Sequence, residues 1–339
     1  MDNITAFANH LLDAYFARPG SGTLSYQLDP VKGYFTTRVY RFEVRAGDKR
    51  VGSYYIKESG RLTVDRFNGY IKREYDNTRY VYENFAATDK LATTHPLYYS
   101  AEHNAFLIER IDGTRLDKRL FRSLFLLRDT GSIEPMLETV MQWLDRFQAI
   151  APITNEPIPG YHEIERNKLE FLYSRTYDYL PEKDKPLFTH VFEVMERCVQ
   201  QADVDEQSIV IKHNDFAPWN MIADGERLTV IDYPDCAFDH KFYDLMYFVN
   251  SLTKLGGKLP FSGLVIRRYQ DFIIDRGQLS RSMLQYYRSY FLLQDIEFVL
   301  RGSRRYLHHR IANDLRYLRL KRQLKQSLPA VNSPVPRFS

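Results

Sequence analysis

Two cysteines, Cys198 and Cys236, are all that a chain of 339 residues contains. That is too few for a disulfide framework or a cysteine-based zinc centre, and it fits a reducing, cytoplasmic setting. Long apolar runs are missing as well. Even the stretch around Leu292 and Leu293 is broken by Gln294 and Asp295, well short of the ~20 residues that a membrane-crossing helix needs. Met1 to Phe16 holds Asp2 and Asp13 but no lysine or arginine, so the basic start of a secretory leader is absent and none is expected. Neither charge dominates, with 47 Lys and Arg against 43 Asp and Glu for a net +4. With 27% charged and 44% hydrophobic residues, wholesale disorder is excluded and a core can form. Internal repeats are absent too.

What is present falls into two parts. Ile4, Phe7, Ala8, Leu11 and Tyr15 recur at helical spacing and predict a short amphipathic helix at the start. Tyr34 to Val44 alternates, turns at Ala46-Gly47-Asp48 and resumes from Val51 to Ile56, which predicts a β-hairpin. A helix is expected from Ile71 to Ala86, with Ile71, Tyr75, Thr78, Tyr82 and Phe85 on its inner face, followed by strands at Leu97 to Tyr99 and Ala105 to Ile108. After Asp112-Gly113 helical patterns take over. Met136, Leu137, Val140, Met141, Leu144 and Phe147 form one stripe, Ile164, Leu169, Phe171 and Leu172 another, and Leu187 to Cys198 a third. Pro152 to Pro159 reads as an internal loop.

Within this helical part lies one polar segment between short β-rich runs at Ser208 to Lys212 and Arg227 to Ile231. It reads Lys212-His213-Asn214-Asp215-Phe216-Ala217-Pro218-Trp219-Asn220, and Ile231-Asp232-Tyr233-Pro234-Asp235 follows after an Asp224-Gly225 turn. Polar side chains on loops held by rigid strands are placed as catalytic groups are. Asp215, Asn220 and Asp232 can converge as two oxygen ligands and one free carboxylate, the set that Mg²⁺ and phosphoryl transfer require. Taken singly, Asp215 is an ordinary turn residue, Asn220 a loop cap and Asp232 a strand-end residue; their order and spacing make the constellation.

His213-x-Asp215-x4-Asn220 followed by Ile231-Asp232 resembles the pattern of the aminoglycoside phosphotransferase and choline kinase family, relatives of the protein kinases. The resemblance implies an α+β, protein-kinase-like two-lobed fold, with a small antiparallel-sheet N-lobe and a mainly helical C-lobe. It implies an ATP- and Mg²⁺-dependent transfer of the γ-phosphate to a hydroxyl of a small molecule. Asp215 would be the catalytic base, Asn220 and Asp232 the Mg²⁺ ligands, and His213 an organiser of the loop. Tyr243-Asp244-Leu245 matches the family's aspartate at the start of the next helix, so Asp244 would buttress the loop. Asp235, three residues after Asp232, either assists the metal in a secondary role or merely ends the strand. Lys57, closing the strand after the hairpin, resembles the lysine on the α/β-phosphates, and Glu74, 17 residues on, would hold it. Phe106 to Gly113 resembles the hinge, with Glu109 at the nucleotide. The expected boundaries are 1–108 for the N-terminal lobe, 109–328 for the C-terminal lobe and 329–339 for a loose tail.

Two features depart from the family pattern. No Gly-x-Gly-x-x-Gly stands in the phosphate-covering position, where only Gly33 lies between Leu28 and Phe42. Asn214 replaces the usual glycine between His and Asp, and asparagine tolerates the left-handed region. A nucleotide-binding scaffold without turnover is therefore the alternative, while a protein kinase is disfavoured because Ile231-Asp232-Tyr233-Pro234 stands where Asp-Phe-Gly would. The family's acceptors are small and hydroxylated, and Asp215-Phe216-Ala217-Pro218-Trp219-Asn220 resembles variants tied to sugar and surface-polysaccharide metabolism, so a sugar or saccharide is expected. Lastly, Arg301 to Lys325 carries nine basic residues against Asp314, a local +8. Leu307, Ile311, Leu315 and Leu318 recur within it at helical spacing. This basic amphipathic helix is expected to pack on the lobe, with contact to an anionic membrane surface as the other reading. No nucleic-acid partner is expected, since no recognition motif accompanies the charge.

Overall fold

The computed structural model describes residues 3–17, 23–33, 37–59, 69–126, 133–151, 158–202, 208–256, 263–302 and 307–327. The chain divides into two compact units, Met1–Ile153 with His213–Ala237, and Thr154–Lys212 with Phe238–Ser339.

The first unit is built on a five-stranded antiparallel sheet. Strands β1 (Leu24–Gly33), β2 (Thr37–Ala46), β3 (Lys49–Ser59), β5 (Pro96–Ser100) and β6 (Ala105–Glu109) lie in the order β1-β2-β3-β6-β5. The expected hairpin is β2-β3, and β1 extends it on the outer edge with Tyr26 opposite Val44 and Leu28 opposite Phe42. Helix α1 (Asn3–Leu11) closes one face. Its Ile4, Phe7, Ala8 and Leu11 are buried against Phe42, Val44, Ile56, Ala105 and Leu107 of the sheet. Tyr15 departs from the expected stripe and is exposed, because the chain loosens into a π-turn over Leu12–Phe16 and the register of faces changes.

Helix α2 (Tyr70–Asn84) buries Ile71, Glu74, Thr78 and Val81. The apolar periodicity had placed Tyr82 inward, yet it is 42% exposed and stacks on His95 at 4.1 Å between ring centres. The face is rotated because a charged residue, Glu74, occupies the inner row and is satisfied there. A second sheet, β4 (Leu91–Thr93), β10 (Arg227–Val230), β9 (Met221–Asp224) and β7 (Thr114–Arg115), pairs in that order, parallel between β4 and β10 and antiparallel elsewhere. Helices α3 (Leu116–Leu126) and α4 (Ile133–Gln148) complete the unit. All six residues of the α4 stripe are buried, together with Trp143, whose indole N–H donates to the Ala92 carbonyl at 2.8 Å.

The second unit is mainly helical. It comprises α5 (Tyr161–Tyr177), α6 (Lys185–Gln200), α7 (Phe242–Gly256), α8 (Gly263–Gly277), α9 (Arg281–Arg301) and α10 (Leu307–Ser327), with one short ribbon of β8 (Ile209–Lys212) and β11 (Ala237–His240). Phe171, expected on the inner stripe of α5, is 60% exposed. Leu169, Leu172, Glu165 and Thr176 take the inner row instead. The centre of this unit holds a balanced ion cluster. The Lys168 ammonium meets Glu165 and Asp239, each at 2.8 Å, and Lys212 meets the other oxygen of Asp239 at 2.7 Å. Tyr286 and Tyr287 donate their hydroxyls to Glu165. The two ammonium groups also lie over the Tyr243 ring, at 4.1 Å for Lys212 and 4.9 Å for Lys168. Buried charges persist when paired and hydrogen-bonded in this way. The proline-rich loop lies largely outside the described residues, as do the expected tail and the chain between β1 and β2.

Candidate active site

Three elements of the first unit bring the predicted side chains together. Lys57 sits near the end of β3, opposite Val39 on one side and Phe106 on the other, so its side chain points off the sheet toward α2. There its ammonium is bonded to Glu74 and to Asp232 at once. Burial pulls the Lys57 pKa down, but the carboxylates of Asp232 and Glu74 outweigh it and the net shift is upward. Lys57 therefore stays cationic. Burial raises the Glu74 carboxyl to about 7 against the pull of Lys57. Burial pushes the Asp232 carboxyl up, but Lys57, Glu74 and His213 together pull it down and leave it below the usual carboxylate range.

The polar loop is held from both ends. His213 is buried, its Nε2 facing the Ile231 carbonyl at 3.1 Å and its Nδ1 accepting the Asp215 N–H at 3.4 Å, which puts the proton on Nε2. Burial lowers its pKa, so the imidazole is a neutral tie between loop and strand. Asn214 adopts φ +69° and Asp232 φ +68°. The first is the left-handed position that a glycine would fill, and asparagine meets it at small cost. Asn220, in a 3-10 turn at Pro218–Asn220, donates its amide to the Asp215 carboxylate at 2.7 Å and to the Asp215 carbonyl at 3.0 Å. With its NH₂ so engaged, the amide oxygen faces the other way. The Asn220 carbonyl accepts the Ile231 N–H at 2.9 Å and ties this turn to the residue before Asp232.

Behind the loop stands an aromatic stack. Trp143 lies parallel to Phe216 and to Phe147 at 5.6 and 5.1 Å, and the His213 and Tyr233 rings are 4.8 Å apart. All five rings are buried, so packing holds the loop geometry without spending polar groups. Gly113 lets the hinge approach β9: a Cβ there would lie 2.7 Å from the Ala223 carbonyl oxygen, and its φ is +132°.

Among the described residues no three His, Cys, Asp or Glu side chains gather as a metal site. The donors present are the Asn220 amide oxygen and the Asp232 carboxylate, an all-oxygen pair. That set fits Mg²⁺, which takes one or two protein oxygens and fills its shell with phosphate and water.

The remaining predicted residues are placed elsewhere. Asp235 is exposed on a turn after Tyr233. Glu109 ends β6 with its backbone N–H given to the His95 carbonyl at 3.0 Å and its side chain 59% exposed beside His95. Asp244 is buried in the first turn of α7, within the second unit. Sequence reasoning passed over Asn77. On α2 one turn beyond Glu74, its amide donates to the carbonyls of Tyr233 at 3.0 Å and Pro234 at 3.3 Å. One helix thus holds both Lys57 and the segment after Asp232. A polar residue one turn from Glu74 was the available signal. The Lys168–Asp239–Lys212 cluster was missed too, although Lys212 closing an apolar strand was visible.

Comparison with known proteins places the chain among characterised folds. A model of the phosphotransferase enzyme family matches residues 57–278. Among curated proteins no sequence match is found. Among solved structures, ADP-bound aminoglycoside phosphotransferase APH(2'')-Ib superposes with a TM-score of 0.62 at 14% identity, over 94% of this chain and 98% of that one. A thermostable mutant of aminoglycoside phosphotransferase APH(4)-Ia, in ternary complex with AMP-PNP and hygromycin B, gives 0.63 at 13% identity over 97% and 100%. Amicoumacin kinase hAmiN, in complex with AMP-PNP, Ca²⁺ and Ami, gives 0.61 at 14% over 97% and 95%. The chain has their kinase-like fold, with an antiparallel-sheet N-lobe and a helical C-lobe.

Proposed function

Because the chain belongs to the phosphotransferase enzyme family, and is by that membership a small-molecule kinase, we propose that it moves the γ-phosphate of ATP to a hydroxyl of a sugar or saccharide. The observation that carries this reading is the joining of Lys57, Glu74 and Asp232 in one hydrogen-bonded chain, beside an Asp215 carboxylate oriented by Asn220.

Asp215 accepts the acceptor's hydroxyl proton as the alkoxide oxygen attacks phosphorus. The new O–P bond forms as the bond to the β,γ-bridging oxygen breaks, and ADP leaves with that electron pair. The Asn220 bond keeps one Asp215 oxygen engaged and aims the other. Lys57 exchanges Asp232 for the α/β-phosphates while Glu74 keeps hold of its ammonium. Asn220 and Asp232 would hold Mg²⁺, which would supply charge neutralisation on the transferring phosphate. With the Glu109 N–H spent on His95, contact with the purine falls to the neighbouring hinge backbone. His213 supports the loop, and Asp235 has an auxiliary part. The lobe boundary at 108/109 and a cytoplasmic setting go with this reading, in which Cys198 and Cys236 form no disulfide.

The test is transfer of labelled γ-phosphate from ATP into a mixed pool of sugars and oligosaccharides by the wild type, Asp215→Asn and Asp232→Ala. Transfer by the wild type, loss of turnover with retained nucleotide binding in Asp215→Asn, and loss of Mg²⁺-dependent nucleotide binding in Asp232→Ala are expected. Mg²⁺-ATP binding without transfer to any pool component leaves a nucleotide-binding scaffold, and equal nucleotide affinity in the wild type and Asp232→Ala overturns the metal assignment.

A further inference from the structure

Helix α10 carries apolar residues on two opposite sides. Tyr317, Leu320 and Leu324 are buried. The Tyr317 hydroxyl donates to one Asp184 oxygen at 2.6 Å, and the Lys321 ammonium holds the other at 3.0 Å. These contacts set the rotation of the helix about its own axis. The row that periodicity had marked as the packing face therefore points outward. Ile311, Leu315 and Leu318 are 53%, 64% and 54% exposed.

At about 100° per residue those three fall within an arc of roughly 60°, about 150° from the buried row. Exposed Arg322 and Lys325 continue the outward row, and exposed Arg319 runs alongside it. On α9, Phe298 is 66% exposed, with the Arg316 guanidinium 5.8 Å from its ring centre. An aliphatic row continued by Arg322 and Lys325 and flanked by Arg319, with exposed Asp314 on its other flank, is the pattern of a helix lying in a membrane interface.

We propose that this face of α10 docks on an anionic lipid surface, with Ile311, Leu315 and Leu318 entering the acyl boundary and Arg319, Arg322 and Lys325 on the headgroup phosphates. Charge complementarity selects the occupant. Among the described residues Arg319, Arg322 and Lys325 are exposed on or beside the outward row, while the chain outside Arg301 to Lys325 is net negative, so an anionic surface favours this face. A nucleic acid would engage the arginines and leave the aliphatic row in water. Among the described residues no helix is long and apolar enough to cross a membrane, so the association is peripheral. It stands apart from the proposed phosphotransfer and is tested without it.

The experiment is flotation of the full chain with phosphatidylcholine vesicles, with and without phosphatidylglycerol. Wild type, Leu315→Gln/Leu318→Gln and Arg319→Gln/Arg322→Gln are compared at low and high salt. At low salt the wild type partitions at least tenfold more strongly to anionic vesicles. Each double variant loses about tenfold, and only the arginine variant also loses most of the salt dependence. These residues are exposed, so thermal midpoint and ATP affinity stay at wild-type values, and Ile311→Gln serves as a second variant of the apolar row. Three results overturn the proposal. One is equal binding to neutral and anionic vesicles, or none; another is binding that survives loss of both leucines; the third is self-association without vesicle binding that the leucine variant abolishes, which would assign the row to a second copy of the chain.

Discussion

Replacing Lys168 by methionine keeps most of the side chain's volume and removes one charge from the ion cluster of the second unit. In the wild type two ammonium groups face two carboxylates, and the charges balance. Without Lys168, Asp239 keeps Lys212 at 2.7 Å, whereas Glu165 keeps only the hydroxyls of Tyr286 and Tyr287. Burial already pushes the Glu165 carboxyl up from its ordinary 4.5. With its cation gone, it takes a proton at neutral pH. Each unit between its unfolded pKa and the working pH is about 1.36 kcal/mol. The loss in stability is therefore at most about 3 kcal/mol at pH 7 and at most about 1.5 kcal/mol at pH 5.5, within the range for breaking a buried pair.

The sign follows from proton binding. The folded variant holds a proton that the unfolded chain releases above its own carboxyl pKa, so the variant's deficit grows as pH rises. Urea unfolding of wild type and Lys168→Met at the two pH values measures it. Adding Glu165→Gln to Lys168→Met should restore most of the loss and remove the pH dependence, since the amide needs no cation. A deficit under about 1 kcal/mol, or one that does not change between the two pH values, would refute the account of the cluster as a charge-balanced core.

Asn77→Ala deletes two hydrogen bonds that tie α2 to the chain after Asp232, and should cost about 1–2 kcal/mol in urea unfolding and raise the KM for ATP more than it lowers kcat. Gly113→Ala puts a Cβ 2.7 Å from the Ala223 carbonyl at a φ of +132°; a loss of about 2 kcal/mol is expected by thermal unfolding, and an unchanged midpoint would show that the hinge has room. Burial holds the His240 pKa down at about 4. Its neutral form is present in both states above pH 6.5, and stability is lost as pH falls from there toward 4; His240→Asn should flatten the stability profile in that window, by about 3 kcal/mol at its acid end.

The polar loop shows how far local pattern reaches. Asp215, Asn220 and Asp232 stand out in the sequence because phosphoryl transfer needs those groups on short strands in that order, and Asn214 because it replaces the glycine of the family pattern. Lys57 and Glu74 were paired across 17 positions by their places on a strand and a helix, and they meet. Where reasoning failed, a long-range partner had overruled the pattern. Glu74 turned α2 by taking an inner position, which pushed Tyr82 out, and Leu169, Leu172, Glu165 and Thr176 displaced Phe171 from the inner row of α5.

From sequence alone came the two-lobed fold class and the element types, because these depend on periodicity, turn chemistry and residue type within about 20 neighbours. Tertiary structure decided which carboxylates share the Lys57 ammonium, that Asn77 secures the segment after Asp232, and that Lys168, Asp239 and Lys212 form one buried cluster. It also decided that α10 turns Tyr317 inward and Leu315 outward. Periodicity marks a row of apolar residues, but a helix with two such rows is oriented by whichever row finds a partner, and Asp184 supplies it from 133 residues away.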